Sequence, residues 1–246
     1  MVNNIVQECA ALISESASIV VLTGAGISTN AGIPDFRGPK GLYVTKKYDA
    51  EKIFDIGHFY SDPKPFYEFA HDFVSLEETI KPTPAHHFLK KLEDKGKIKG
   101  IITQNIDALH QKAGSKKVYE MHGSFWQSAC IECGAPFIYE ELKVRMTKSF
   151  VPQCNCGAVI KPDIVFFGEN VKYYNEAMTL AQESDLFIVI GSSCVVFPAA
   201  MIPTLAPGKI VLINKGKVHL NLYNIALDAQ EDADEFLTQV SNCLRL

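Results

Sequence analysis

Four of the seven cysteines form two close pairs, and their spacing predicts a metal site. Cys130 and Cys133 make the first pair, and Cys154 and Cys156 make the second. Four thiolates are the ligand set of a closed, tetrahedral structural zinc site, and the glycine directly after each pair lets the chain turn tightly there. Because protein ligands would fill all four positions, such a site has no open position for catalysis. The pattern therefore predicts one structural zinc ion, with four unlinked buried thiols as the alternative.

A glycine turn after a short apolar run is a second candidate for chemistry. Residues 18–23 are mostly apolar and lead into Gly24, Ala25 and Gly26. A buried strand that enters a helix through such a turn can direct backbone N–H groups at a pyrophosphate. The third glycine of the dehydrogenase fingerprint is replaced by Thr29, which disfavours a redox dehydrogenase. The turn alone leaves two interpretations open, a nucleotide-binding turn or a purely structural one.

Three later apolar runs, at residues 98–103, 186–190 and 209–213, also end in polar or glycine residues. The residues that follow them are Gln104, Asn105, Ile106 and Asp107 after the first, Gly191, Ser192 and Ser193 after the second, and Asn214 after the third. The carboxyl ends of parallel strands meet at one edge of a sheet, and α/β folds bind ligands there. The polar ends therefore predict one nucleotide crevice at that edge.

Helical patterns alternate with these runs and predict an α/β fold. The four helical patterns lie at residues 3–15, 84–95, 173–184 and 232–244. Because strands that alternate with helices form right-handed βαβ units, a Rossmann-like parallel sheet is expected. An aromatic-rich segment at residues 38–81 interrupts this order with several short helical patterns. Residues 130–157 are predicted to be a cysteine-bounded and otherwise irregular module.

The bulk composition excludes some functions. A formal net charge of −4, with only three arginines, argues against a non-specific nucleic-acid binder. No apolar stretch approaches the roughly 20 residues that cross a bilayer, and the first residues have no export signal. We therefore expect a cytoplasmic protein that binds neither membranes nor nucleic acid directly. The remaining cysteines, Cys9, Cys194 and Cys243, are interpreted as small apolar core residues.

Taken in chain order, the motifs resemble those of the sirtuin family of NAD-dependent protein-lysine deacylases, and the compact chain looks prokaryotic. The segments that carry the resemblance are Gly24–Gly38, Thr103–His110, His122–Gly123, Lys161–Glu169 and Gly191–Ser193. The resemblance extends from about residue 4 to residue 241. One departure is the single residue between Cys154 and Cys156, where the family more often has two.

The resemblance implies two domains and a reaction that consumes NAD. A Rossmann-like NAD-binding domain would comprise residues 1–37, 82–123 and 158–246. A small domain would combine a helical insertion at 38–81 with a zinc knuckle at 124–157. NAD and an acyl-lysine peptide are expected to meet in the cleft between them. The acyl group would move from lysine to ADP-ribose, releasing nicotinamide and O-acetyl-ADP-ribose when the acyl group is acetyl.

The resemblance also implies roles for individual residues. His122 would be the base that activates a ribose hydroxyl, although from residue types alone a histidine before a glycine is as well explained by structure. Asn105 and Gln104 would orient the ribose hydroxyls, and Asp107 with the backbone of Ile106 would hold the nicotinamide carboxamide. The full cofactor set implied is Gly24, Ala25, Gly26, Thr29, Phe36, Arg37, Gln104, Asn105, Ile106, Asp107, Ser192, Ser193, Asn214, Asp232 and Ala233.

Substrate contacts are implied for Val165, Phe167 and Val195, which match positions that line the acyl-lysine tunnel of the family. Family members that remove acidic acyl groups carry an arginine three residues after a tyrosine in the insertion. Here Ala70 occupies that position after Tyr67. The expected substrate therefore carries a neutral acyl group, acetyl first.

Two other functions stay open. An NAD-dependent mono-ADP-ribosyltransferase would share the first step, but it would not need His122 and Asn105 to activate a ribose hydroxyl. A zinc-ribbon module that docks on protein or nucleic acid would need none of the strand-end motifs. The presence of these motifs favours the deacylase.

Overall fold

The computed structural model describes residues 4–35, 48–77 and 79–246, and the chain divides into two units. The larger unit includes residues up to 35, 81–121 and 173–246, and the smaller unit includes residues 48–80 and 122–172. The sequence prediction assigned residues 122–123 and 158–172 to the larger domain. They group with the smaller unit instead, because a strand at Ile160–Ile164 pairs antiparallel with a strand at Gly123–Cys130.

The described residues form nine strands and nine α-helices. The strands are β1 (Ile19–Thr23), β2 (Ile98–Thr103), β3 (Val118–Glu120), β4 (Gly123–Cys130), β5 (Pro136–Ile138), β6 (Ile160–Ile164), β7 (Leu186–Ile190), β8 (Lys209–Ile213) and β9 (Ile225–Ala229). The helices are α1 (Asn4–Glu15), α2 (Ala50–Ile53), α3 (Ile56–Ser61), α4 (Lys64–Glu77), α5 (Pro84–Asp94), α6 (Leu109–Lys112), α7 (Tyr139–Lys148), α8 (Tyr174–Gln182) and α9 (Ala233–Leu244). Two 3-10 helices lie at Ala25–Ala31 and Ala199–Leu205. None of these helices is both long and apolar enough to cross a bilayer.

Six parallel strands form the sheet of the larger unit, in the order β3-β2-β1-β7-β8-β9. β1 pairs with β2 on one side and with β7 on the other, and every residue of β1 and β7 is buried. Numbered within this unit, the strand order is 3-2-1-4-5-6, which is that of doubly wound nucleotide-binding folds. The order reverses between β1 and β7. The predicted Rossmann-like parallel sheet is confirmed.

Helices α1, α5 and α9 bury their apolar faces in one core with strands of this sheet. Leu89 and Leu92 of α5 are buried, as their helical spacing predicts. Of the cysteines interpreted as core residues, Cys9 and Cys194 are buried, but Cys243 is exposed. The interpretation of Cys243 is wrong because Leu244 is the residue that packs against the core in the last turn of α9.

A three-stranded antiparallel sheet, ordered β5-β4-β6, organises the smaller unit. The sequence analysis predicted an irregular module at residues 130–157. That prediction is wrong, because the module contains β5 and the ten-residue helix α7. The strand β6 was missed because Pro162 lies in it, and proline within a run argues against a strand. Pro162 pairs with Ser128 of β4.

The aromatic-rich insertion builds the core of the smaller unit. Phe54 directly follows α2, while α3 carries Phe59 and α4 carries Phe66, and all three rings lie within 6.0 Å of the ring of Phe166, centroid to centroid. Their mostly edge-on contacts suit the quadrupoles of aromatic rings. The Tyr67 hydroxyl, also buried, donates a hydrogen bond to the carbonyl of Ile160. The insertion is thus joined to β6 within one core.

Backbone packs on backbone where the strand order of the parallel sheet reverses. The N–H of Gly26 donates to the carbonyl of Gly191 at 2.9 Å, and a Cβ at position 191 would lie 2.3 Å from the nitrogen of Ile27. Gly191 also has φ +64, a conformation that glycine adopts without a steric penalty. No side chain fits at position 191.

We expect Gly191→Ala to lower the free energy of unfolding by roughly 2–5 kcal/mol, because it adds a clash to a strained φ. Gly32→Ala is the matched control, since Gly32 has φ +95 but a Cβ there would meet nothing within 4 Å. Gly32→Ala should lower the free energy of unfolding by about 1 kcal/mol, because only the backbone conformation is strained. Urea unfolding measures both, and equal losses would refute the close-approach argument.

Candidate active site and metal centre

The carboxyl ends of the central strands are joined by hydrogen bonds. The amide of Gln104, after β2, donates to the hydroxyl of Ser192, after β7, at 2.9 Å. The N–H of Gly24, after β1, donates to the carbonyl of Ile190 at 3.0 Å, and the N–H of Gly191 donates to the carbonyl of Ile213 at 2.9 Å. The structure therefore brings the strand-end motifs together at one edge of the sheet, as the sequence predicts.

A buried polar network lies at this edge. The Ser28 hydroxyl donates to the carboxylate of Asp107 at 2.7 Å, and the Asn105 amide nitrogen donates to that hydroxyl at 3.2 Å. The N–H of Leu109 reaches the other carboxylate oxygen of Asp107 at 2.9 Å. Burial raises the pKa of Asp107, while these hydrogen bonds act against that shift. The carboxylate keeps lone pairs with which it can accept further N–H donors.

Ser28 was not assigned a role from the sequence, although it lies inside the first motif. It is fully buried in the 3-10 helix Ala25–Ala31, and its hydroxyl links Asp107 to Asn105. A serine in a glycine-rich turn carries no signal of its own, because turn serines are common. The role of Ser28 becomes visible only in the structure, where the 3-10 helix lies over the end of β2.

A second network surrounds Asp232. The amide of Asn30 donates to its carboxylate at 3.0 Å, Lys215 lies 2.8 Å from it, and the first N–H groups of α9 donate to it. Burial would raise the pKa of Asp232, but hydrogen bonds from Lys215 and the helix outweigh it and lower the pKa. The carboxylate of Asp232 is therefore held by the protein as a helix cap, and Ala233 begins the helix beside it.

The other predicted cofactor residues have varied surroundings. The Thr29 hydroxyl donates to the carbonyl of Gly26 at 3.1 Å, and the carbonyl of Ser193 accepts from the N–H of His219 at 2.9 Å. The N–H of Asn214 donates to the carbonyl of Ala229 at 3.0 Å. Ala25 and Ile106 are half-buried, and so is Val195, which was predicted to contact the substrate. Phe36 and Arg37 lie outside the described residues.

In the smaller unit, His122 directly precedes β4, and its side chain is half-buried. Its carbonyl accepts from the N–H of Val165 at 2.9 Å, so two predicted site residues are joined here. Gly123 makes this possible, because it has φ +68 and a Cβ there would lie 1.8 Å from the carbonyl oxygen of Asp163. Phe167, two residues beyond Val165, is 51% exposed.

The four paired cysteines converge on one point. Their sulfurs all lie within 4.8 Å of one another. Cys130 Sγ is 3.5 Å from Cys156 Sγ, and Cys133 Sγ is 3.6 Å from Cys154 Sγ. A tetrahedron with Zn–S bonds of about 2.3 Å has edges of about 3.8 Å. The cluster therefore fits zinc, and its sulfurs are too far apart for disulfides.

Two histidines of the larger unit, His86 and His110, are buried. The ring nitrogen Nδ1 of His86 accepts from the N–H of Thr83 at 3.2 Å, and His110 Nε2 is 2.9 Å from the Thr23 hydroxyl. Neither His86 Nε2 nor His110 Nδ1 has a partner among the described residues, so a charged ring would be unsolvated. Burial lowers the pKa of His86 to about 2, with help from His110, and the pKa of His110 to about 3.

The sequence and the fold are similar to those of known proteins. The Sir2 family profile matches residues 24–198. An NAD-dependent protein deacetylase of Thermotoga maritima is 48% identical over 212 residues, which cover 84% of this chain and 85% of that protein.

Solved structures of Sir2 proteins superpose closely on this chain. One, a Sir2 variant with a deacetylated peptide and 3'-O-acetyl ADP ribose, has a TM-score of 0.88 and 43% identity. Another, Sir2 with a peptide and NAD+, has a TM-score of 0.87 and 43% identity. Each comparison covers 96% of this chain and 97% of the other.

The sulfur geometry predicts about one zinc ion per purified chain. Cys133→Ser and Cys156→Ser should each lower the zinc content well below one, because serine is a poor ligand for this ion. The matched control is Cys243→Ser, which changes an exposed cysteine far along the sequence from the cluster. Elemental analysis after gel filtration measures all three, and full zinc in the cluster variants would contradict the assignment.

The buried histidines predict a loss of stability in acid. Their folded pKa values lie below the ordinary value near 6.5, so the unfolded chain binds more protons, and stability falls as pH drops below about 6.5. Each histidine should lower the free energy of unfolding by about 2 kcal/mol between pH 7 and pH 5. His86→Asn keeps an acceptor for Thr83, and it should flatten the pH dependence by about that amount.

The control for this measurement is His87→Asn, because His87 is an exposed neighbour on the same helix. The free energy of unfolding is measured in urea at several pH values between 5 and 7. If both variants keep the slope of the unchanged protein, His86 does not titrate as argued.

Proposed function

The chain belongs to the Sir2 family, and we propose that it is an NAD-dependent protein deacetylase that moves the acyl group of an acyl-lysine to ADP-ribose. One observation carries the proposal. The buried Asp107–Ser28–Asn105 network lies at the carboxyl ends of β1 and β2, beside the point where the strand order reverses, in a chain 48% identical to a deacetylase. That edge is where doubly wound folds bind nucleotides.

NAD fits this edge as a co-substrate. When bound, it supplies the ADP-ribose that accepts the acyl group as nicotinamide leaves. The N–H groups of Gly24 and Gly26 already donate to Ile190 and Gly191, so the part of these glycines is to bring the ends of β1 and β7 together at this edge. Asp107 would hold the carboxamide of nicotinamide, because its oxygens keep acceptor capacity after the bonds from Ser28 and Leu109.

Asn105 would orient a ribose hydroxyl. Its side-chain amide nitrogen donates to Ser28, so the carbonyl oxygen of the same amide remains as an acceptor for the hydroxyl. The N–H of Asn105 donates to the Thr103 hydroxyl at 3.1 Å, so its backbone is fixed as well. A side chain held at both ends loses little entropy on binding, which favours accurate positioning.

His122 would be the base that takes the proton from the ribose hydroxyl. Histidine is the side chain whose ordinary titration range lies nearest neutral pH, so it can accept and return a proton. Its backbone is fixed by Val165, and the glycine that follows it allows β4 and β6 to approach closely. These contacts support a preset position for the imidazole.

The substrate would be an acyl-lysine segment of a protein, bound as an extended strand against Val165 and Phe167 of the smaller unit. A neutral acyl group is favoured, because Ala70 and the hydroxyl of Tyr67 offer no free donors for an acidic one. Ala70 is fully buried, and the hydroxyl of Tyr67 is already bound to the carbonyl of Ile160.

We also propose that the protein works in the cytoplasm and does not bind nucleic acid directly. Four thiolates that bind zinc need reducing conditions, as in the cytoplasm. The net charge of −4 disfavours a phosphate backbone as a partner.

The proposal predicts that an acetyl-lysine peptide loses its acetyl group only when NAD is present, with O-acetyl-ADP-ribose as a product. His122→Ala should lower kcat/KM by about 100-fold or more, the contribution expected of a general base. His87→Ala is the control, since His87 is exposed and has no proposed role. Mass spectrometry of peptide and nucleotide measures the products.

Other products would lead to other conclusions. If NAD is consumed while the peptide stays acetylated and ADP-ribose appears on protein, the chain is an ADP-ribosyltransferase. If a succinyl-lysine peptide is cleaved as fast as the acetyl one, the preference for neutral groups is wrong.

A further inference from the structure

A tight turn follows β6, and it is closed twice. The N–H of Glu169 donates to the carbonyl of Phe166 at 3.0 Å, and the N–H of Phe166 donates back to the Glu169 carboxylate at 2.8 Å. Gly168, third in this turn, has φ +96, as the third residue of a type II turn requires. The side chain of Glu169 therefore fixes the backbone of its own turn.

Lys161 ties the turn back to β6. Its ammonium donates to the carbonyl of Ile164 at 2.8 Å and to the Glu169 carboxylate at 2.9 Å. It also lies 4.2 Å above the centre of the Phe166 ring, a cation–π contact. The side chains of Lys161 and Glu169 are only 12% and 32% exposed. Because the pair is shielded from water, removing one charge leaves the other poorly solvated.

The segment that this pair holds has two different sides. Phe166 is 1% exposed and points into the aromatic core, whereas Phe167 is 51% exposed. The N–H of Val165 donates to the carbonyl of His122, and the N–H of Phe167 donates to the carbonyl of Phe54 at 2.7 Å. The segment is thus anchored on one side, while Phe167 is presented to solvent.

We propose that Lys161 and Glu169 are positioning residues for the acyl-lysine substrate. By closing the turn and fixing the carbonyl of Ile164, they hold Val165 and Phe167 in the conformation that receives the peptide. The inference rests on the proposed function, which assigns these two residues to the substrate. A segment ordered beforehand binds more tightly, because the peptide need not order it.

A purely structural ion pair makes a different prediction. It would lower the melting temperature without a selective effect on either substrate. A positioning pair should weaken the binding of the peptide alone, since the described groups proposed to bind NAD lie at the carboxyl ends of the parallel strands. The Michaelis constants for peptide and NAD therefore separate the two roles.

Two variants test the inference in the full-length, zinc-loaded protein. Glu169→Gln keeps an acceptor for the N–H of Phe166 but loses the charge, and Lys161→Met keeps the packing on the Phe166 ring but loses the ammonium. Each should raise the KM for an acetyl-lysine peptide about 5- to 20-fold, with kcat within about threefold and the KM for NAD unchanged. The effect falls on KM because bound peptide orders the turn again.

Two further variants serve as controls. Lys161→Arg keeps the positive charge and the donors, so it should restore the peptide KM to within about threefold. Lys52→Met removes the lysine of an exposed pair in the same unit, where Lys52 lies 3.1 Å from Asp49. That variant should leave both Michaelis constants unchanged.

The inference is overturned if Glu169→Gln and Lys161→Met keep the original peptide KM. It is equally overturned if the constants for peptide and NAD rise together, which would indicate a structural role. If Lys161→Met does not fold, Glu169→Gln decides the matter. If the unaltered protein does not deacetylate the peptide with NAD, the proposed function fails, and the inference falls with it.

Discussion

The contact between the glycine turn after β1 and Gly191 after β7 is the constraint on which the larger unit depends. Backbone meets backbone there, and no side chain fits at position 191. The contact lies where the strand order reverses, so it sets the distance between the two halves of the sheet. It also places Ser28 in reach of Asp107 and Ser192 in reach of Gln104. A glycine requirement in one turn thereby fixes the polar edge of the sheet.

The polar groups at this edge are held mainly by one another. Ser28 contacts both Asp107 and Asn105, and Asn30 contacts Asp232. A buried polar group without a partner costs about 1–3 kcal/mol, so a network of this kind persists only when its members are satisfied. The smaller unit is organised differently, by a zinc-binding cysteine cluster and an aromatic core. Each unit thus presents its proposed site residues from a rigid support.

Much of the larger unit could be predicted from the sequence. The bounds of β2, β7 and β8 agree with the apolar runs, because buried parallel strands are apolar on both faces. The short strand β3 was missed, and so was β9, which alternates buried and exposed residues at the sheet edge. The cysteine spacing predicted the cluster that the structure forms. These are signals carried by local patterns.

What the sequence could not reveal depends on contacts between distant residues. Pro162 argued against a strand, yet β6 forms because β4 pairs with it. Ser28 looks like an ordinary turn residue until the end of β2 is placed beside it. The pair Lys161 and Glu169 lies at the two ends of a sirtuin-like motif, but only the folded turn shows which backbone groups the pair holds.

The most direct measurement follows the oxygen of the acyl group. In the proposed reaction the carbonyl oxygen of acetyl-lysine would bond to the ribose carbon that nicotinamide leaves, and water would supply the oxygen that the acetyl group then lacks. A peptide labelled at that carbonyl with a heavy oxygen isotope should therefore deliver the label to the ADP-ribose part of the product, as detected by mass spectrometry. Label that stays with the acetyl group would mean direct attack on the amide, and it would contradict the account.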